Sequence, residues 1–530
     1  MSTLRERVAE LEARRARAAE MGGPERIAKQ HARGKLTARE RIALLFDRDT
    51  HFEELGILGK QPGVDSPADA VVCGFGKVEG RPVGVAAYDF TVLGGSMGPT
   101  GEAKAGRMRE LCLRHRMPMV WLVDSGGARI GGGGLGGGAG AGAASDEEYG
   151  ASLFAETGAL FREQIVMSGV VPQVAAMVGP GAAGTAYIPG LADFVPMVKG
   201  NSSMALGGPY LVKAAVGEDI SEEDLGGSKV HCEVSGVGDL EVPDDPACME
   251  AVRTYLSFMP SHCEEAPPVV PCDDPIERAD EALLDVVPDN PRRAYDMRKL
   301  VTLLADHGHV FEIKPKWARN LVTAFVRLGG RPVGVVANNP MFLGGTLDVD
   351  SADKAAKFVQ ICDAFGIPLL FLQDTPGFVI GSKVEKAGII RHGAKMLHYV
   401  ASATVPKICV IVRKAYGAGY YAMNGRAYEP DWIVGWPSAE IAVMGPEGMV
   451  SIFAQKRLRE LASDDERKQF IEAASGRLRA GINPYVPAIR AMLDDVIDPR
   501  QTRAVVARAL ERFARKRVER PWRKRGVVPV

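Results

Sequence analysis

The sequence predicts an α/β protein built from two copies of one domain, each a β-sheet covered by helices. The first observation is an internal repeat. The word GRPVGV occurs at residues 80–85 and again at 330–335, an offset of 250 residues. The same offset relates LGGS at 93–96 to LGGT at 343–346. Because these words are not low-complexity sequence, a constant offset indicates duplication of a whole domain.

The second observation is that both copies alternate short apolar runs with helical patterns in the same order. Strands that alternate with helices and read as continuous apolar runs predict a parallel sheet covered by helices. The predicted strands are residues 83–87, 119–123 and 174–178 in the first copy and 333–337, 369–372 and 408–412 in the second. The predicted helices are residues 101–115, 161–168, 352–365 and 388–400.

The length of 530 residues also exceeds what one hydrophobic core organises. Residues 260–291 are rich in proline and acidic residues, a composition typical of a connector. We therefore expect two domains, residues 1–265 and 266–530.

Composition argues against several classes of function. A formal net charge of −1 gives no general electrostatic reason to bind nucleic acid or an anionic membrane. No apolar run is long enough to span a bilayer. The eight cysteines are scattered without a C-x-x-C pair, so we expect reduced thiols, a cytoplasmic location and no metal site. The charged N-terminus predicts a surface helix with a stripe of Leu4, Val8 and Leu11.

Each copy has a turn of small residues directly after its third predicted strand. These turns read VGPGAAGTAY at residues 178–187 and VRKAYGAGYY at 412–421. Small residues let backbone N–H groups approach a ligand oxygen, and a helix that starts there adds its positive end. This combination predicts an oxyanion hole. The alternative is that the small residues only permit tight packing, but the same turn in both copies favours function.

Other catalytic motifs are absent from the sequence. There is no G-x-x-x-x-G-K-[ST] phosphate loop, no G-x-S-x-G nucleophile elbow, and no methionine-flanked lysine for biotin attachment. The remaining chemistry is that of backbone donors.

Seven motifs carry a resemblance to a known family. They are RGKLTARERIALLFD at 33–47, SGGARI at 125–130, GEDISEEDLGG at 217–227, HCEVSGV at 231–237, QDTPGF at 373–378, GIIRHGAK at 388–395 and WPSAEIAVMGPEG at 436–448. With them the chain resembles the β (carboxyltransferase) subunit of biotin-dependent acyl-CoA carboxylases, the group of propionyl-CoA and methylcrotonyl-CoA carboxylases.

The resemblance implies two tandem crotonase-like (ClpP/crotonase) domains and transfer of a carboxyl group from N-carboxybiotin to the α- or vinylogous γ-carbon of a short-chain acyl-CoA. The first domain would hold the CoA thioester and the second the biotin. Catalytic N–H donors would be Ala183 and Gly184 for the enolate oxygen, and Ala418 and Gly419 for the ureido oxygen of biotin.

The resemblance also implies partners and cofactors. Biotin would arrive as carboxybiotin on a separate carrier or α subunit that includes biotin carboxylase, and this subunit would hold no metal. The chain would form a homo-oligomer, a hexamer built from dimers with active sites at the dimer interface.

Further residues are expected to line the substrate sites, and they are Gly126, Gly127, Ala128, Arg129, Gly181, Ala182, Tyr187, Gly417, Tyr420 and Tyr421. Arg129 would either contact a CoA phosphate or cap its own turn. Tyr421 stands where propionyl-CoA members commonly have Asp, so the acyl specificity stays open.

Several predictions concern regions outside this site. Asp124 and Asp374 are expected to fix the turns that follow them, and the basic tail at residues 512–526 is expected to be a solvated face. The insertion at residues 131–144, which is nearly all Gly and Ala, predicts a mobile flap because ordering it costs about 1–2 kcal/mol per residue.

Three alternative functions remain open. The first is a biotin-dependent decarboxylase or transcarboxylase of the same fold. The second is a crotonase-type hydratase or hydrolase that acts without biotin, and the third is a non-catalytic scaffold subunit.

Overall fold

The protein is described from a computed structural model that covers residues 2–129, 159–291, 293–524 and 526–530. The chain divides into two compact units, Met1–Ala266 and Pro267–Val530. The predicted flap at residues 131–144 lies outside the described residues. Each unit is described by itself below.

The first unit contains one sheet with helices around it. Its strands are β1 (Glu53–Leu55), β2 (Val71–Val78), β3 (Arg81–Tyr88), β4 (Met119–Ser125), β5 (Gln173–Ala182), β6 (Pro196–Val198), β7 (Ser203–Ala205) and β8 (Leu240–Val242). Its helices are α1 (Leu4–Ala19), α2 (Pro24–Ala32), α3 (Ala38–Leu45), α4 (Pro99–His115), α5 (Ala159–Met167), α6 (Tyr187–Leu191), α7 (Pro209–Val216), α8 (Glu222–Gly226) and α9 (Asp245–Phe258).

The second unit repeats this plan. Its strands are β9 (Val310–Ile313), β10 (Leu321–Leu328), β11 (Arg331–Asn338), β12 (Leu369–Thr375), β13 (Lys407–Tyr416), β14 (Trp432–Gly435), β15 (Glu440–Ala442) and β16 (Asp495–Val496). Its helices are α10 (Leu283–Val286), α11 (Met297–Leu304), α12 (Val349–Ala364), α13 (Ser382–Lys386), α14 (Ile389–Ser402), α15 (Gly417–Ala422), α16 (Pro446–Phe453), α17 (Gln455–Glu460), α18 (Asp464–Arg479), α19 (Tyr485–Ile489) and α20 (Thr502–Arg512).

The two sheets have the same topology. The first has the order β1-β2-β3-β4-β5-β6-β8, with β7 paired to β5, and the second has the order β9-β10-β11-β12-β13-β14-β16, with β15 paired to β13. The offset of 250 residues carries β2, β3 and β4 onto β10, β11 and β12. The predicted α/β class and the duplication are therefore confirmed.

The sheets are mixed rather than wholly parallel. The strands β1, β2 and β3 pair antiparallel, and parallel pairing begins between β3 and β4. The cause is the two-residue turn Glu79-Gly80, whose φ values of 51° and 75° suit a tight hairpin. The GRPVGV word at residues 80–85 begins in the turn of this hairpin and continues into its second strand, β3. The sequence analysis missed the first strand of the hairpin in both copies.

The proline-rich segment at residues 260–291 is not a free connector. The amide of Val270 donates to the carbonyl of Gly330 at 3.1 Å, and Arg327 donates to the carbonyl of Pro268 at 2.9 Å. Leu283 is buried in the core of the second unit. The boundary between the two units falls in this segment, and the turn between β10 and β11 supplies partners for its backbone.

The N-terminal surface helix is confirmed as α1, on which Leu4, Val8 and Leu11 are exposed. Of the helices in the described part of the chain, none combines the length and the apolar character needed to cross a bilayer.

Candidate functional site

Two turns meet at the carboxyl ends of neighbouring parallel strands in each unit. In the first unit these are residues 125–129 after β4 and residues 182–186 after β5, which we call the first paired turns. A Cβ atom on Gly127 would lie 2.8 Å from the carbonyl oxygen of Ala182. Only glycine permits so close an approach, so the two turns form one surface. The carboxyl ends of parallel strands are where ligands bind in α/β proteins.

The second unit has the same arrangement, the second paired turns, formed by residues 375–379 after β12 and residues 416–420 after β13. Here a Cβ atom on Gly377 would lie 3.5 Å from the carbonyl oxygen of Tyr416. A bond from the Leu347 amide to the Gly377 carbonyl matches the bond from Met97 to Gly127, both at 2.9 Å. The duplication therefore extends to the hydrogen bonds of the site.

The register of the strands fixes which donors correspond between the units. Ala182 pairs with Ala205 in the first sheet, and Tyr416 pairs with Ala442 in the second. Each of these residues ends its strand, so Ala183 corresponds to Gly417. Both residues have left-handed backbone, with φ values of 51° and 56°.

The strand register gives a pair in the second unit that differs from the predicted one. The counterparts of Ala183 and Gly184 are Gly417 and Ala418, one residue earlier than the predicted Ala418 and Gly419. Ala418 is exposed at the turn, whereas Gly419 is buried, and a Cβ atom there would lie 2.9 Å from the Cα atom of Gly377. The sequence does not signal this register because the two turns have glycines at shifted positions.

The other predicted site residues of the first unit lie around these turns. Gly126 is exposed and its amide donates to the Gly94 carbonyl at 2.9 Å, while Ala128 forms a bridge with Met97. Gly181 is buried, where a Cβ atom would come within 2.9 Å of Met177. The ring of Tyr187 is half-exposed and packs edge-on against Phe161.

The aromatic residues of the second unit form a small cluster behind its turn. The rings of Tyr420 and Tyr421 lie 5.2 Å apart, and Tyr421 also packs on Tyr428. The Tyr420 hydroxyl accepts a hydrogen bond from the amide of Arg426 at 2.9 Å. Tyr421 is 43% exposed and Tyr420 is partly buried, so Tyr421 offers the open face of this cluster.

Arg129 is engaged by the protein itself. Its Nη1 donates to Asp69 at 2.6 Å and to Gln61 at 2.8 Å, and its Nη2 donates to the Ser96 carbonyl at 2.9 Å. The side chain is 10% exposed. Of the two predicted roles, these contacts favour fixation of the turn over contact with a CoA phosphate.

Asp124 and Asp374 are fully buried at the ends of β4 and β12. Asp124 accepts from Lys35 at 2.7 Å and from Arg41 at 2.8 Å. Asp374 accepts from Arg413 at 2.9 Å and also from the Lys414 amide. These hydrogen bonds come from other elements and not from the turns that follow, so the carboxylates anchor the strand ends rather than the turns that the sequence analysis expected.

The repeat also places one buried lysine in each unit, on α4 and on α12. Lys104 donates to the carbonyls of Ala68 and Val71, both at 2.7 Å. Lys354 donates to four carbonyls, those of Lys314, Trp317, Ala318 and Leu321. Burial lowers the pKa of Lys354 to about 7 and also lowers the pKa of Lys104. The offset relates these lysines, but nothing in the sequence signals their carbonyl partners.

Among the residues that the structure describes, no three His, Cys, Asp or Glu side chains lie close enough together to hold a metal ion. The chemistry available at the paired turns is that of backbone N–H groups and a few aromatic rings. In the first turn of a helix such N–H groups have no partner within the helix, so they can bind a ligand oxygen.

Comparison with known proteins gives the same family throughout. The carboxyl transferase domain family matches residues 29–528. A propionyl-CoA carboxylase beta chain from Roseobacter denitrificans is 42% identical over 528 residues, which cover 98% of this chain and 99% of the relative. The methylmalonyl-CoA decarboxylase subunit alpha of Veillonella parvula is 39% identical over 537 residues, which cover 100% of both chains.

A solved structure is similar over the same extent. It is the transcarboxylase 12S, described as a hexamer and solved with methylmalonyl-coenzyme A and methylmalonic acid bound. It aligns with a TM-score of 0.91 at 40% identity, covering 100% of this chain and 99% of that one. The predicted tandem crotonase-like fold is confirmed, and the chain belongs to the carboxyl transferase family.

Proposed function

We propose that the chain transfers a carboxyl group between biotin on a separate carrier subunit and the α- or vinylogous γ-carbon of a short-chain acyl-CoA, in the cytoplasm. The observation that carries the proposal is that one donor-bearing turn pair is built twice. Two developing oxyanions need two such sites, one for each partner in the transfer. The similarity to a propionyl-CoA carboxylase beta chain and to transcarboxylase 12S supports an acyl-CoA substrate.

We assign the thioester to residues 1–265 and the biotin to residues 266–530. In the first paired turns the N–H groups of Ala183 and Gly184 would bind the thioester oxygen. Ala183 is exposed and Gly184 is partly exposed, so a ligand can reach both. A Cβ atom on Gly184 would meet only Met97 and Phe161, at 3.5 and 3.7 Å, so the glycine leaves room on the ligand side.

The second paired turns fit the ureido ring of biotin. Gly417 takes the left-handed conformation that turns the chain after β13, and Ala418 follows it at the exposed start of α15. The N–H groups of Gly417 and Ala418 would bind the ureido oxygen. Bound biotin supplies the carboxyl group and a ring nitrogen of suitable basicity.

The residues of this chain then act by binding and orientation. The donors at Ala183 and Gly184 stabilise negative charge on the thioester oxygen when the α-carbon loses its proton. No described carboxylate or histidine is needed at that carbon. This division of labour explains why the sequence contains no triad and no pair of catalytic carboxylates.

The acyl group is tested with a panel. The purified chain is mixed with carboxylated biotin carrier and acetyl-, propionyl-, butyryl- or 3-methylcrotonyl-CoA, and transfer of labelled carboxyl is followed. We expect transfer to at least one of these thioesters. Binding of CoA thioesters without transfer to any of them would refute the proposal and favour a scaffold role.

The donors are tested with one matched pair of variants. Ala418→Pro removes the N–H group at a helix position where proline is tolerated, and Ala418→Gly keeps that N–H group. Loss of one such donor typically lowers the rate by about 100- to 1000-fold. We expect this loss for Ala418→Pro only. Equal activity in the two variants would exclude the N–H group from the reaction.

Net decarboxylation is a second candidate function. It is favoured by the 39% identity to a methylmalonyl-CoA decarboxylase subunit alpha. The same turns serve both directions, because a catalyst of the forward reaction also catalyses the reverse. Incubation of carboxyl-labelled methylmalonyl-CoA with uncarboxylated carrier tests it: label on the carrier demonstrates the reverse transfer, and release of labelled CO₂ demonstrates net decarboxylation.

We further propose a homo-oligomer, a hexamer built from dimers with active sites at the dimer interface, that binds a biotin carboxylase and carrier α subunit. Support comes from helices α7 and α16. Helix α7 follows β7, which pairs with β5 in the first unit, and α16 follows β15, which pairs with β13 in the second. Tyr210 and Leu211 on α7 and Phe453 on α16 are exposed apolar residues. Exposed apolar helices mark interaction surfaces. Light scattering should show that Leu211→Glu lowers the molecular mass, whereas Arg15→Glu on α1 leaves it unchanged.

A further inference from the structure

The loop before β2 has an unusual backbone. Three consecutive residues, Ala68, Asp69 and Ala70, have left-handed φ values of 50°, 48° and 62°. Residues other than glycine avoid this region because their Cβ atoms crowd the backbone. Such strained segments persist only where the surroundings hold them, and they cluster at functional sites. The contacts of this loop show what holds it.

The carboxylate of Asp69 connects two elements of the first unit. Its Oδ1 accepts from Arg129 Nη1 at 2.6 Å, and its Oδ2 accepts from the amide of Gly101 in the first turn of α4, also at 2.6 Å. The side chain is completely buried. The guanidinium lies directly over Gly98, where a Cβ atom would come within 2.2 Å of Nη1.

Arg129 in turn lies in the turn after β4, which faces the thioester donors. Its amide donates to the Met97 carbonyl at 2.9 Å, and Met97 donates to Gly127 at the same distance. Gly127 packs against Ala182 and Ala183. A displacement of Arg129 would therefore move the surface against which the thioester site is built.

The second unit has no equivalent of this connection among its described residues. At the repeat offset Asp69 corresponds to Arg319, whose guanidinium stacks on Phe342 at 3.8 Å, and Arg129 corresponds to Val379. Of the counterpart residues 318–320, only Ala318 is left-handed. The ion pair is therefore particular to the first unit and is not required by the duplicated fold.

We propose that Asp69 is a positioning residue of the thioester site. Its strained backbone aims a buried carboxylate at Arg129, and through Arg129 it fixes residues 126–128 against the donors at Ala183 and Gly184. Arg129 acts by the same route and does not touch the substrate. This inference rests on the proposed function in one respect, the assignment of the thioester to the first unit.

The test uses Asp69→Asn in the full chain, with Asp306→Asn as the matched control. Asp306 also binds a buried arginine, Arg503, at 2.6 Å, and it accepts from two backbone amides in the second unit, at the turn between β10 and β11. Both variants lose the charge of a buried carboxylate. The thermal midpoint of each is measured to establish that it is folded.

The readout is the dissociation constant for propionyl-CoA together with KM and kcat for carboxyl transfer. We expect Asp69→Asn to weaken thioester binding by about 10- to 100-fold, the scale set by small misplacements of binding groups. Asp306→Asn should leave the affinity unchanged. A folded Asp69→Asn protein with wild-type affinity and KM overturns the proposal.

Hydrogen exchange supplies a second measurement that does not depend on activity. Amides of residues 126–129 should exchange faster in Asp69→Asn than in the wild type, and equal exchange overturns the proposal. The two hypotheses fail differently. Absence of transfer by the wild-type chain refutes the proposed function, whereas unchanged binding and exchange in the variant refute only the role of Asp69.

Discussion

The two units keep the same buried aspartate but neutralise it from different parts of the chain. Asp374 on β12 receives Arg413 from the neighbouring strand β13, with the Tyr295 hydroxyl at 2.8 Å as a further donor. Asp124 on β4 receives Arg41 from helix α3, which precedes the sheet in the chain. The acid belongs to the duplicated frame, and its cation does not.

The reason lies at the position that corresponds to Arg413. In the first unit this position is Gly179, and a Cβ atom there would lie 1.9 Å from Asp124 Oδ1. No side chain can leave the strand at this point, so the guanidinium must arrive from elsewhere. Arg41 also binds Asp245 at the start of α9, at 2.7 Å.

In this protein the two units share the buried aspartate but not the arginine that binds it. An unpaired carboxylate in the interior costs several kcal/mol, so each unit must supply a cation. The element that carries this cation can differ between the units. In the first unit the cation comes from Arg41 on α3, so residues 24–45 form part of the domain core.

The largest expected effect is that of removing the two arginines. Arg41→Met leaves both Asp124 and Asp245 without their guanidinium and should lower the free energy of unfolding by about 3–5 kcal/mol. Arg413→Met should cost less, because it breaks one buried ion pair, with Asp374, whereas Arg41→Met breaks two and leaves Lys35 as the remaining cation on Asp124. Urea denaturation of the two variants, with Arg39→Met as a partly exposed control, measures the order. A larger loss for Arg413→Met would reverse the comparison.

The buried lysines Lys104 and Lys354 give a second comparison between the two units. Lys354→Met removes a donor from four carbonyls and should cost about 3 kcal/mol, whereas Lys104→Met removes a donor from two and should cost about 2 kcal/mol. Equal losses, measured by chemical denaturation at pH 7, would show that the number of carbonyl partners does not set the cost.

The same lysine gives a pH dependence with a definite sign. The folded pKa of Lys354 is about 7 and the unfolded value is about 10.4, so between these values the unfolded chain binds more protons. Stability conferred by Lys354 therefore rises with pH across this window, by at most about 1.4 kcal/mol per pH unit. The stability difference between wild type and Lys354→Met should be larger at pH 9 than at pH 7. A constant difference would contradict the lowered pKa.

The smallest effects concern the left-handed residue of each turn. Ala183→Gly should raise the free energy of unfolding by about 1 kcal/mol, because glycine adopts this conformation without strain. Gly417→Ala should lower it by at least as much, since the added Cβ would also lie 3.0 Å from the Val443 carbonyl. Thermal denaturation of both variants checks the opposite signs. Changes of the same sign would break the correspondence of the two positions.

Much of the architecture could be predicted from the sequence. The repeated words at residues 80–85 and 330–335 marked the duplication, and apolar runs marked the strands that carry the site. The hairpin strand β2 was missed because glycines interrupt Val71–Val78, so it lacks a continuous apolar run. This reason does not apply to β10, whose sequence LVTAFVRL is largely apolar. The structure brings the predicted turns of each unit together, and the strand register pairs Ala183 with Gly417, one residue before the predicted Ala418.

The order of elements, the duplication and the family can be read from the sequence alone, because they depend on local patterns and on words that recur. Only the tertiary structure decided that Ala183 corresponds to Gly417, that Arg129 binds Asp69, and that Arg41 reaches Asp124 across 83 residues of chain. Such pairings depend on how strands align and on which space a glycine leaves open. Neither the strand alignment nor the space beside a glycine can be read from the distance between residues in the sequence, because both arise when the sheet assembles.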